Sequence, residues 1–304
     1  MVAIPTETVY GLAANIYDEE AVKEIFELKQ RPLFNPLIVH IHSLNQLEEL
    51  AAELPEKARL MAAAFWPGEL TLVLKKKSIV PKLITAGKDT VAIRMPRHPL
   101  VTELLKNIDF PLAAPSANPF GSISPTTAQR VKDYFEDRLP MVLDGGPCSS
   151  CIESTIIGFD NEQPILYRLG AIAVEEIEKL TGPVKQIINN EKNPQAPGMF
   201  LKHYSPKTPI VLSENLASAV KKYSHNRIGI LVFRNTCENK SIKHSEVLSI
   251  QGDFKEASTN LYEALHRLDH SKVDIILAER LPNKDLGKSL NDGLERAAAG
   301  KTNA

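Results

Sequence analysis

The chain has 304 residues, a formal net charge of −1, 43% apolar residues and 24% charged residues. This is the composition of an ordinary globular protein, and the length is comfortable for two domains. A charge so close to zero argues against a protein that neutralises many nucleic-acid phosphates, so any anion recognition is expected in a local pocket. With three cysteines, no signal-peptide pattern and no apolar run long enough to cross a bilayer, we expect a cytoplasmic protein.

The first helix is predicted over Glu20 to Leu28, because its apolar residues have the spacing of one buried face. Lys29 and Arg31 fall at or just beyond its end, and Pro32 stops it. Asn35 follows, just before an apolar strand. Two cations and an amide in a proline-framed loop are a pattern that can bind a polyanion. The alternative is that both cations only complement the helix dipole.

Further apolar runs predict the strands of a sheet. They are Leu37–Ile41, Leu70–Leu74, Val91–Met95, Leu112–Ala114, Met141–Leu143 and Thr155–Gly158. Helical patterns alternate with these runs, so residues 1–183 are predicted to form a large α/β domain.

A loop rich in hydroxyl groups follows the Leu112–Ala114 run. It contains Ser116 and Ser124 and leads into a helix that starts at residues 125–127 and continues through Tyr134. A helix start with hydroxyls and free N–H groups can bind an anion. The alternative is that Ser124 only caps the helix and Ser116 only makes a turn hydrogen bond.

A linker and a second, smaller domain are predicted after residue 183. Residues 184–207 mix Asn, Pro, Lys and Gly without periodicity, which is typical of a linker. In residues 208–304, apolar runs at Pro209–Leu212, Ile228–Phe233 and Val273–Ala278 alternate with helical patterns. These runs predict a small parallel α/β domain.

The cysteines and histidines give no catalytic pattern. Cys148 and Cys151 have the spacing of a redox or zinc site, but no second cysteine pair or histidine pair follows them, so no functional role is expected. His40, His98 and His203 are scattered along the chain, and a lone histidine is more often structural.

Several segments together resemble the threonylcarbamoyl-AMP synthase family, whose catalytic domain is of the YrdC type. The segments occur in family order, and the ordered set is more specific than any one of them. They are Ile4–Leu12, Lys29–Pro36, Pro111–Ala128, Phe65–Gly68, Val91–Pro99, Asp144–Gly146, Glu153–Ile156, Pro197–Met199 and His203–Pro206. The resemblance implies a YrdC-like twisted mixed sheet with helices, followed by a linker and a small Rossmann-like parallel α/β domain.

The resemblance also implies a nucleotidyltransferase reaction. L-Threonine, bicarbonate and ATP would give L-threonylcarbamoyladenylate and pyrophosphate, with Mg²⁺ accompanying the nucleotide. A downstream transfer machinery would use the product to make threonylcarbamoyladenosine in tRNA. The threonine amine captures bicarbonate or CO₂ as a carbamate, whose oxygen attacks the α-phosphorus of ATP. Such a step needs charge stabilisation and alignment more than a protein nucleophile.

Roles for individual residues follow from the same resemblance, with Lys29 and Arg31 as the catalytic cations on the phosphates. The ATP contacts it implies are Lys29, Arg31, Asn35, Thr90, Ser116, Ser124, Arg168 and Tyr204. The threonine contacts it implies are Thr8, His40, Arg94, Ala114 and Ser154. Arg94 would hold the substrate carboxylate, and Tyr204 would make the linker a lid over the nucleotide. The alternatives are an ion pair at the strand edge for Arg94 and a buried core residue for His40.

Some features depart from the family pattern. The family usually carries about one more strand and helix before the Pro5–Thr8 motif, so we expect an N-terminally truncated catalytic domain with part of its sheet edge and pocket uncovered. Cys151 stands where the family usually has glycine.

Two other interpretations remain at this point. The catalytic domain of the family resembles modules with affinity for double-stranded RNA, so a double-stranded RNA or tRNA-binding module without catalysis is the main alternative. It predicts salt-dependent RNA binding without pyrophosphate release, and the near-neutral charge argues against it. The other is a carbamoyl-adenylate transfer domain like those of hydrogenase maturation factors, whose acylphosphatase and zinc-finger segments are absent from this sequence.

Overall fold

A computed structural model describes residues 1–188, 194–199 and 203–299. The chain divides into two compact units. The first contains residues 1–120, 125–149 and 153–200, and the second contains residues 121–124, 150–152 and 201–304. The remaining parts of the predicted linker and of the C-terminal end lie outside the described residues.

Within the described residues, the first unit contains a sheet of nine strands in the order β1-β2-β6-β3-β5-β4-β7-β8-β9. The strands are β1 Val2–Ile4, β2 Gly11–Asn15, β3 Ile38–His40, β4 Leu70–Lys75, β5 Thr90–Arg94, β6 Leu112–Ala113, β7 Thr155–Asp160, β8 Gln163–Arg168 and β9 Lys185–Gln186. The pairs β3–β5, β4–β7 and β8–β9 are parallel and the other pairs are antiparallel. The predicted mixed α/β sheet is therefore confirmed.

Along the chain, the helices of the first unit alternate with these strands. They are α1 Glu19–Lys29, α2 Leu44–Leu50, α3 Glu56–Phe65, α4 Pro99–Lys106, α5 Ala128–Phe135 and α6 Val174–Thr181, with a short 3-10 turn at Glu136–Arg138. Helix α1 begins at Asp18, whose carboxylate accepts a hydrogen bond from the backbone N–H of Ala21. It ends at Gln30, which adopts a left-handed conformation.

Two buried apolar clusters hold helices and loops against the sheet of the first unit. One joins β1, β2 and β6 to α4 through residues that include Ile4, Val101 and Leu105. The other joins β3, β4, β5 and β7, and it also contains Ala196 and Met199 from the predicted linker. Because β9 also lies in this stretch, the early part of the predicted linker belongs to the first unit.

The predicted strand at Met141–Leu143 is wrong. Only one isolated parallel bridge, between Ala3 and Val142, forms there. The backbone of Ala3 exchanges hydrogen bonds with Met141 and Leu143 along the outer side of β1. Short apolar runs of this kind do not distinguish a strand from a loop that covers a sheet edge.

The second unit contains a sheet of four parallel strands within the described residues, in the order β10-β13-β11-β12. The strands are β10 Ile210–Ser213, β11 Ile228–Val232, β12 Ile242–Val247 and β13 Ile275–Glu279, and the helices are α7 Leu216–Lys222, α8 Phe254–His270 and α9 Leu286–Ala298. The predicted parallel α/β domain is confirmed. Strand β12 was not predicted, because it lies at the sheet edge and its four central residues, Lys243–Glu246, are all polar, so it has no apolar run.

The part of the chain that the structure describes holds no helix with the length and apolar character needed to cross a membrane.

Gly170 gives a test of the packing behind β7. A Cβ atom at this position would lie 2.4 Å from the carbonyl oxygen of Glu153 and 2.4 Å from the backbone of Ser154. We expect Gly170→Ala to lower the free energy of unfolding by about 1–3 kcal/mol, because backbone atoms must move. Urea denaturation followed by circular dichroism measures the change.

Gly293→Ala is the matched control for this substitution. It adds the same methyl group inside α9, where no described residue apart from the helix's own backbone lies within 4 Å of it, and is expected to raise stability by about 0.5–1 kcal/mol. A Gly170→Ala protein as stable as the wild type would contradict the close approach.

Candidate functional site

The two cations at the end of α1 are buried rather than solvated. Lys29 is 1% exposed, and its Nζ donates to the carbonyl oxygens of Ser116 and Asn118, each 2.5 Å away. Arg31 donates from Nε to the carbonyl oxygen of Asn35 at 3.3 Å and from Nη2 to that of Pro36 at 2.8 Å. Backbone carbonyl oxygens therefore accept hydrogen bonds from both side chains, and within the described residues neither cation forms an ion pair with a carboxylate.

The side chain of Asn35 is buried, and its polar atoms have no partner in the part of the chain that the structure describes. It is 0% exposed, and neither its Oδ1 nor its Nδ2 makes a hydrogen bond within the described residues. Buried amide groups are nearly always hydrogen-bonded, so each exception needs an explanation. A ligand that fits beside Arg31 would supply the missing partners.

The pKa values of the two cations report the same environment. Burial lowers the pKa of Lys29 well below its usual value, the charge of Arg31 lowers it further, and Glu153 acts in the opposite direction. Burial, with the charge of Arg168, lowers the pKa of Arg31 to about 9. These like charges lie close enough to repel one another, so a bound anion would stabilise them.

A second group of polar side chains surrounds Arg94 at the end of β5. Nη1 of Arg94 donates to Oγ1 of Thr8 at 2.7 Å, and Nε donates to the carbonyl oxygen of Gly68 at 3.1 Å. Nη2 lies 2.8 Å from Oε1 of Glu7, which also is almost completely buried. The guanidinium group is thus fixed in one orientation.

Glu7 is a site residue that the sequence analysis missed. Burial raises its pKa, but the charge of Arg94 and several hydrogen bonds outweigh this effect, so the pKa is lowered overall. Its Oε2 accepts from the backbone N–H of Arg97 at 3.1 Å. The signal was present as an acidic residue in the polar turn at Pro5–Thr8, between two apolar runs, but its partner lies on a distant strand.

His40 lies beside Arg94, because β3 and β5 are parallel neighbours and the two residues are in register. Burial, together with the charge of Arg94, lowers the pKa of His40 to about 3, while Glu7 acts in the opposite direction. The ring is therefore neutral at pH 7. Its Nδ1 has no hydrogen-bond partner within the described residues. A polar ligand could supply a partner for this nitrogen, whereas a core histidine would be expected to have one within the protein.

Ser154 connects the two groups. Its Oγ shares a 2.7 Å hydrogen bond with Oγ1 of Thr71, which is paired with Arg94 across β4 and β5. Arg168 donates from Nη2 to Oγ of Ser154 at 3.0 Å and to its carbonyl oxygen at 2.9 Å. Gly198 packs on Arg168, since a Cβ atom there would lie 2.8 Å from its Cδ.

Ala114 and Ser116 lie on the loop that follows β6, beside the side chains described above. The backbone N–H of Ala114 donates to the carbonyl oxygen of Ile38 at 3.1 Å, and Ser116 supplies a carbonyl acceptor to Lys29. Gly11 approaches Ala114 so closely that a Cβ atom would lie 3.2 Å from the Cβ of Ala114. The loop is therefore held against both β2 and α1.

The first unit thus brings ten of the predicted residues and Glu7 into one connected region. The ten are Thr8, Lys29, Arg31, Asn35, His40, Arg94, Ala114, Ser116, Ser154 and Arg168. Among the described residues, only Arg94 of the four buried cations in this set is paired with a carboxylate. The region consequently carries excess positive charge.

Thr90 stands apart from this region. It is the first residue of β5, whereas Arg94 is the last. Four residues of strand span roughly 13 Å, and Thr90 borders a small cavity with Lys75 and Asn161. Its role as an ATP contact stays a prediction.

Ser124 and Tyr204 belong to the second unit. The carbonyl oxygen of Ser124 lies 3.4 Å from Nε2 of His266 on α8. The ring of Tyr204 is buried, with its centroid 4.1 Å from that of His203 and 5.4 Å from that of Tyr262. Their roles as ATP contacts stay predictions.

Cys151 is poorly suited to act as a nucleophile. Burial, with the charge of Glu263, raises the pKa of Cys151 to about 12, so its thiol stays protonated at neutral pH. Cys151 also has a φ of 54°, a left-handed conformation that glycine adopts more readily than other residues.

Comparisons with known proteins match both units. A family model described as Telomere recombination (Sua5_yciO_yrdC) covers residues 1–170, and a model described as Threonylcarbamoyl-AMP synthase, C-terminal domain covers residues 172–299. The chain is 41% identical over 313 residues to the threonylcarbamoyl-AMP synthase of Pyrococcus abyssi, a match that covers 98% of this chain and 90% of the relative. It is 39% identical over 312 residues to the Bacillus subtilis enzyme of the same name, with 99% and 90% covered.

Solved structures agree with these relatives. The crystal structure of Pyrococcus abyssi Sua5 complexed with L-threonine matches with a TM-score of 0.90 and 40% sequence identity, over 98% of this chain and 90% of that chain. The predicted family is therefore confirmed: the chain belongs to the threonylcarbamoyl-AMP synthase family.

Proposed function

We propose that this protein synthesises L-threonylcarbamoyladenylate from L-threonine, bicarbonate and ATP, with release of pyrophosphate. The observation that carries the proposal is the buried, connected region with excess positive charge and with unpartnered polar atoms on Asn35 and His40. Anionic substrates would neutralise such a region and complete its hydrogen bonds. The Sua5 structure that contains L-threonine supports the choice of amino acid.

The threonine end of the site is formed around Arg94. Its fixed guanidinium group would bind the substrate carboxylate, and Thr8, His40, Ala114 and Ser154 would surround the rest of the molecule. The neutral ring of His40 can donate or accept a hydrogen bond without adding another charge.

The nucleotide end is formed around Lys29 and Arg31. Both side chains, with Asn35, Ser116 and Arg168, would hold the phosphates of ATP. Ser154 bonds to Arg168 and, through Thr71, lies next to Arg94, so it stands between the two ends. Substrates at both ends would bring the carbamate oxygen and the α-phosphorus together, which is the main requirement of the reaction.

The chemistry needs no group bonded to the protein. The threonine amine attacks the carbon of bicarbonate, with loss of water, or that of CO₂, with loss of a proton, and gives a carbamate. One carbamate oxygen then displaces pyrophosphate from the α-phosphorus of ATP. The cations stabilise the negative charge that moves onto the leaving pyrophosphate. The predicted absence of a nucleophilic triad is consistent with such a step.

Mg²⁺ would enter only as the ion carried by the ATP phosphates. Within the described residues, no group of three or more His, Cys, Asp or Glu side chains is arranged to hold a metal ion. Mg²⁺ commonly keeps several waters and binds through substrate phosphates. No step of the proposed reaction is routed through a metal held by the protein.

The second unit and the partners complete the proposal. Tyr204 and Ser124 would contact the nucleotide, Thr90 would add a further contact, and the segment 184–207 would act as a tether and lid. A solved variant of Pyrococcus abyssi Sua5 carries alanine in place of an adjacent histidine and tyrosine, and this chain has such a pair at His203 and Tyr204.

A tRNA threonylcarbamoyl-transfer machinery would take up the product in the cytoplasm. RNA binding by the protein itself stays a prediction.

Release of pyrophosphate from ATP tests the reaction. We expect release only when threonine and bicarbonate are both present, because the carbamate is the nucleophile. Arg31→Ala is expected to lower kcat/KM by about 10²–10³-fold, the size seen when one stabilising group is removed. Arg59→Ala removes an exposed arginine of α3 and is the control. Release that does not depend on threonine would contradict the proposal, and salt-dependent RNA binding without release would favour the binding-module alternative.

The Glu7–Arg94 pair gives a test of the threonine end. Glu7→Gln removes the charge that orients Arg94, so we expect the KM for threonine to rise about tenfold, equivalent to about 1.4 kcal/mol, while the KM for ATP changes little. Glu69→Gln is the control, because its carboxylate pairs with the exposed Arg97 at 2.7 Å. Thermal unfolding of both variants identifies any loss of stability. Equal increases in the KM values for threonine and ATP would show that Glu7 does not act through the threonine end.

A further inference from the structure

The second unit has a crevice of about 870 Å³ at the carboxyl edge of its sheet. All four strands are parallel, so their carboxyl ends lie at one edge. The residues that directly follow β10, β11 and β13 line the crevice, and they include Glu214, Phe233 and Arg280. Open parallel sheets bind ligands at this edge, and small-molecule sites have volumes of about 300–1,000 Å³.

Two cations of the crevice are available to a ligand. Within the ranges that the structure describes, the side chains of Arg234 and Lys284 make no hydrogen bond or ion pair, although both line the crevice. Arg280 differs, because its Nε lies 2.7 Å from Glu214 and its Nη1 lies 2.5 Å from Glu295. The charge of Arg280 is therefore already balanced, and that of Arg234 and Lys284 is not.

Gly252 lies close to the side chain of Arg234, which lines the wall of the crevice. It has a φ of +75°, and a Cβ atom at this position would lie 2.9 Å from Cδ and 3.0 Å from Nε of Arg234. Any larger residue would be strained and would displace the arginine. The absence of a side chain at Gly252 therefore leaves room for Arg234 to lie along this wall of the crevice.

A flat apolar surface and a fixed carboxylate complete the lining. The rings of Phe233 and Phe254 are stacked, with centroids 5.2 Å apart and an interplanar angle of 14°, and Phe254 is half-buried. Glu279 ends β13, and its Oε2 accepts from the backbone N–H of Phe233 at 2.7 Å. An aromatic face can pack against a planar ring, and a fixed carboxylate can accept hydrogen bonds from hydroxyl groups.

We propose that this crevice is a second ligand site of the chain and that it binds a mononucleotide. Arg234 and Lys284 contact its phosphate, Phe254 packs against its base, and Glu279 accepts a hydrogen bond from a ribose hydroxyl. A phosphate monoester carries up to two negative charges, which matches the two available cations. The acidic Glu214 and Glu279 in the same lining disfavour a long acidic polymer.

Equilibrium dialysis of the full chain against radiolabelled AMP tests this site. The double variant Arg234→Ala/Lys284→Ala is expected to bind one AMP fewer per chain than the wild type, or to bind that AMP at least about tenfold more weakly. The difference does not depend on the region around Lys29. If that region also binds AMP, the number falls from two to one, and if it does not, the number falls from one to zero.

The charge-matched control is Lys221→Ala/Lys240→Ala, which removes two exposed cations of the same unit outside the crevice. It is expected to bind AMP as the wild type does. Pyrophosphate release by the crevice variant is expected at the wild-type rate, and Arg234→Gln serves as a milder change if the double variant unfolds. The proposal is overturned if the wild type binds no AMP, or if the crevice and control variants bind the same number of AMP molecules with the same dissociation constant.

Discussion

The first unit depends on the burial of positive charge with too few carboxylates to balance it. Lys29, Arg31, Arg94 and Arg168 are all buried, and within the described residues only Arg94 forms an ion pair with an acidic side chain. Burying an uncompensated charge is costly, and backbone carbonyl groups reduce the cost only in part. The proline-framed loop after α1 and the strand ends are arranged to supply those carbonyls. A bound anion would balance the buried positive charge, so we expect the protein with an anionic ligand to be more stable than the empty protein.

The same arrangement explains how two substrates could meet. The region around Arg94 is oriented by Glu7 and Thr8 and suits a carboxylate, whereas the region around Lys29 and Arg31 suits phosphates. Each cation is held by groups fixed in the sheet or in the loop, so little reorganisation is needed when charge moves during the reaction. The protein therefore contributes position and electrostatic stabilisation, and the substrates contribute the reacting atoms.

The sequence predicted the elements whose pattern is local. Helix α1 and the apolar strands of both units were found because a buried face or an apolar run is visible within ten residues. Strand β12 was missed because its four central residues are polar and it lies at the edge of the sheet, and the apolar run at Met141–Leu143 proved to be a loop along β1. In the site, the proline-framed cations were predicted as a group. The role of Glu7 was not, because a turn motif does not reveal that the turn packs against the end of β5.

The central claim, that the buried cations form an anion site, is tested most directly by thermal unfolding with inorganic pyrophosphate. Ligand at 100 times its dissociation constant stabilises a folded protein by about 2.7 kcal/mol, so the wild-type midpoint should rise by several degrees. Arg31→Met is expected to lose this rise, whereas Arg59→Met, which changes an exposed arginine, is expected to keep it. An equal rise in the wild type and in Arg31→Met would contradict the account.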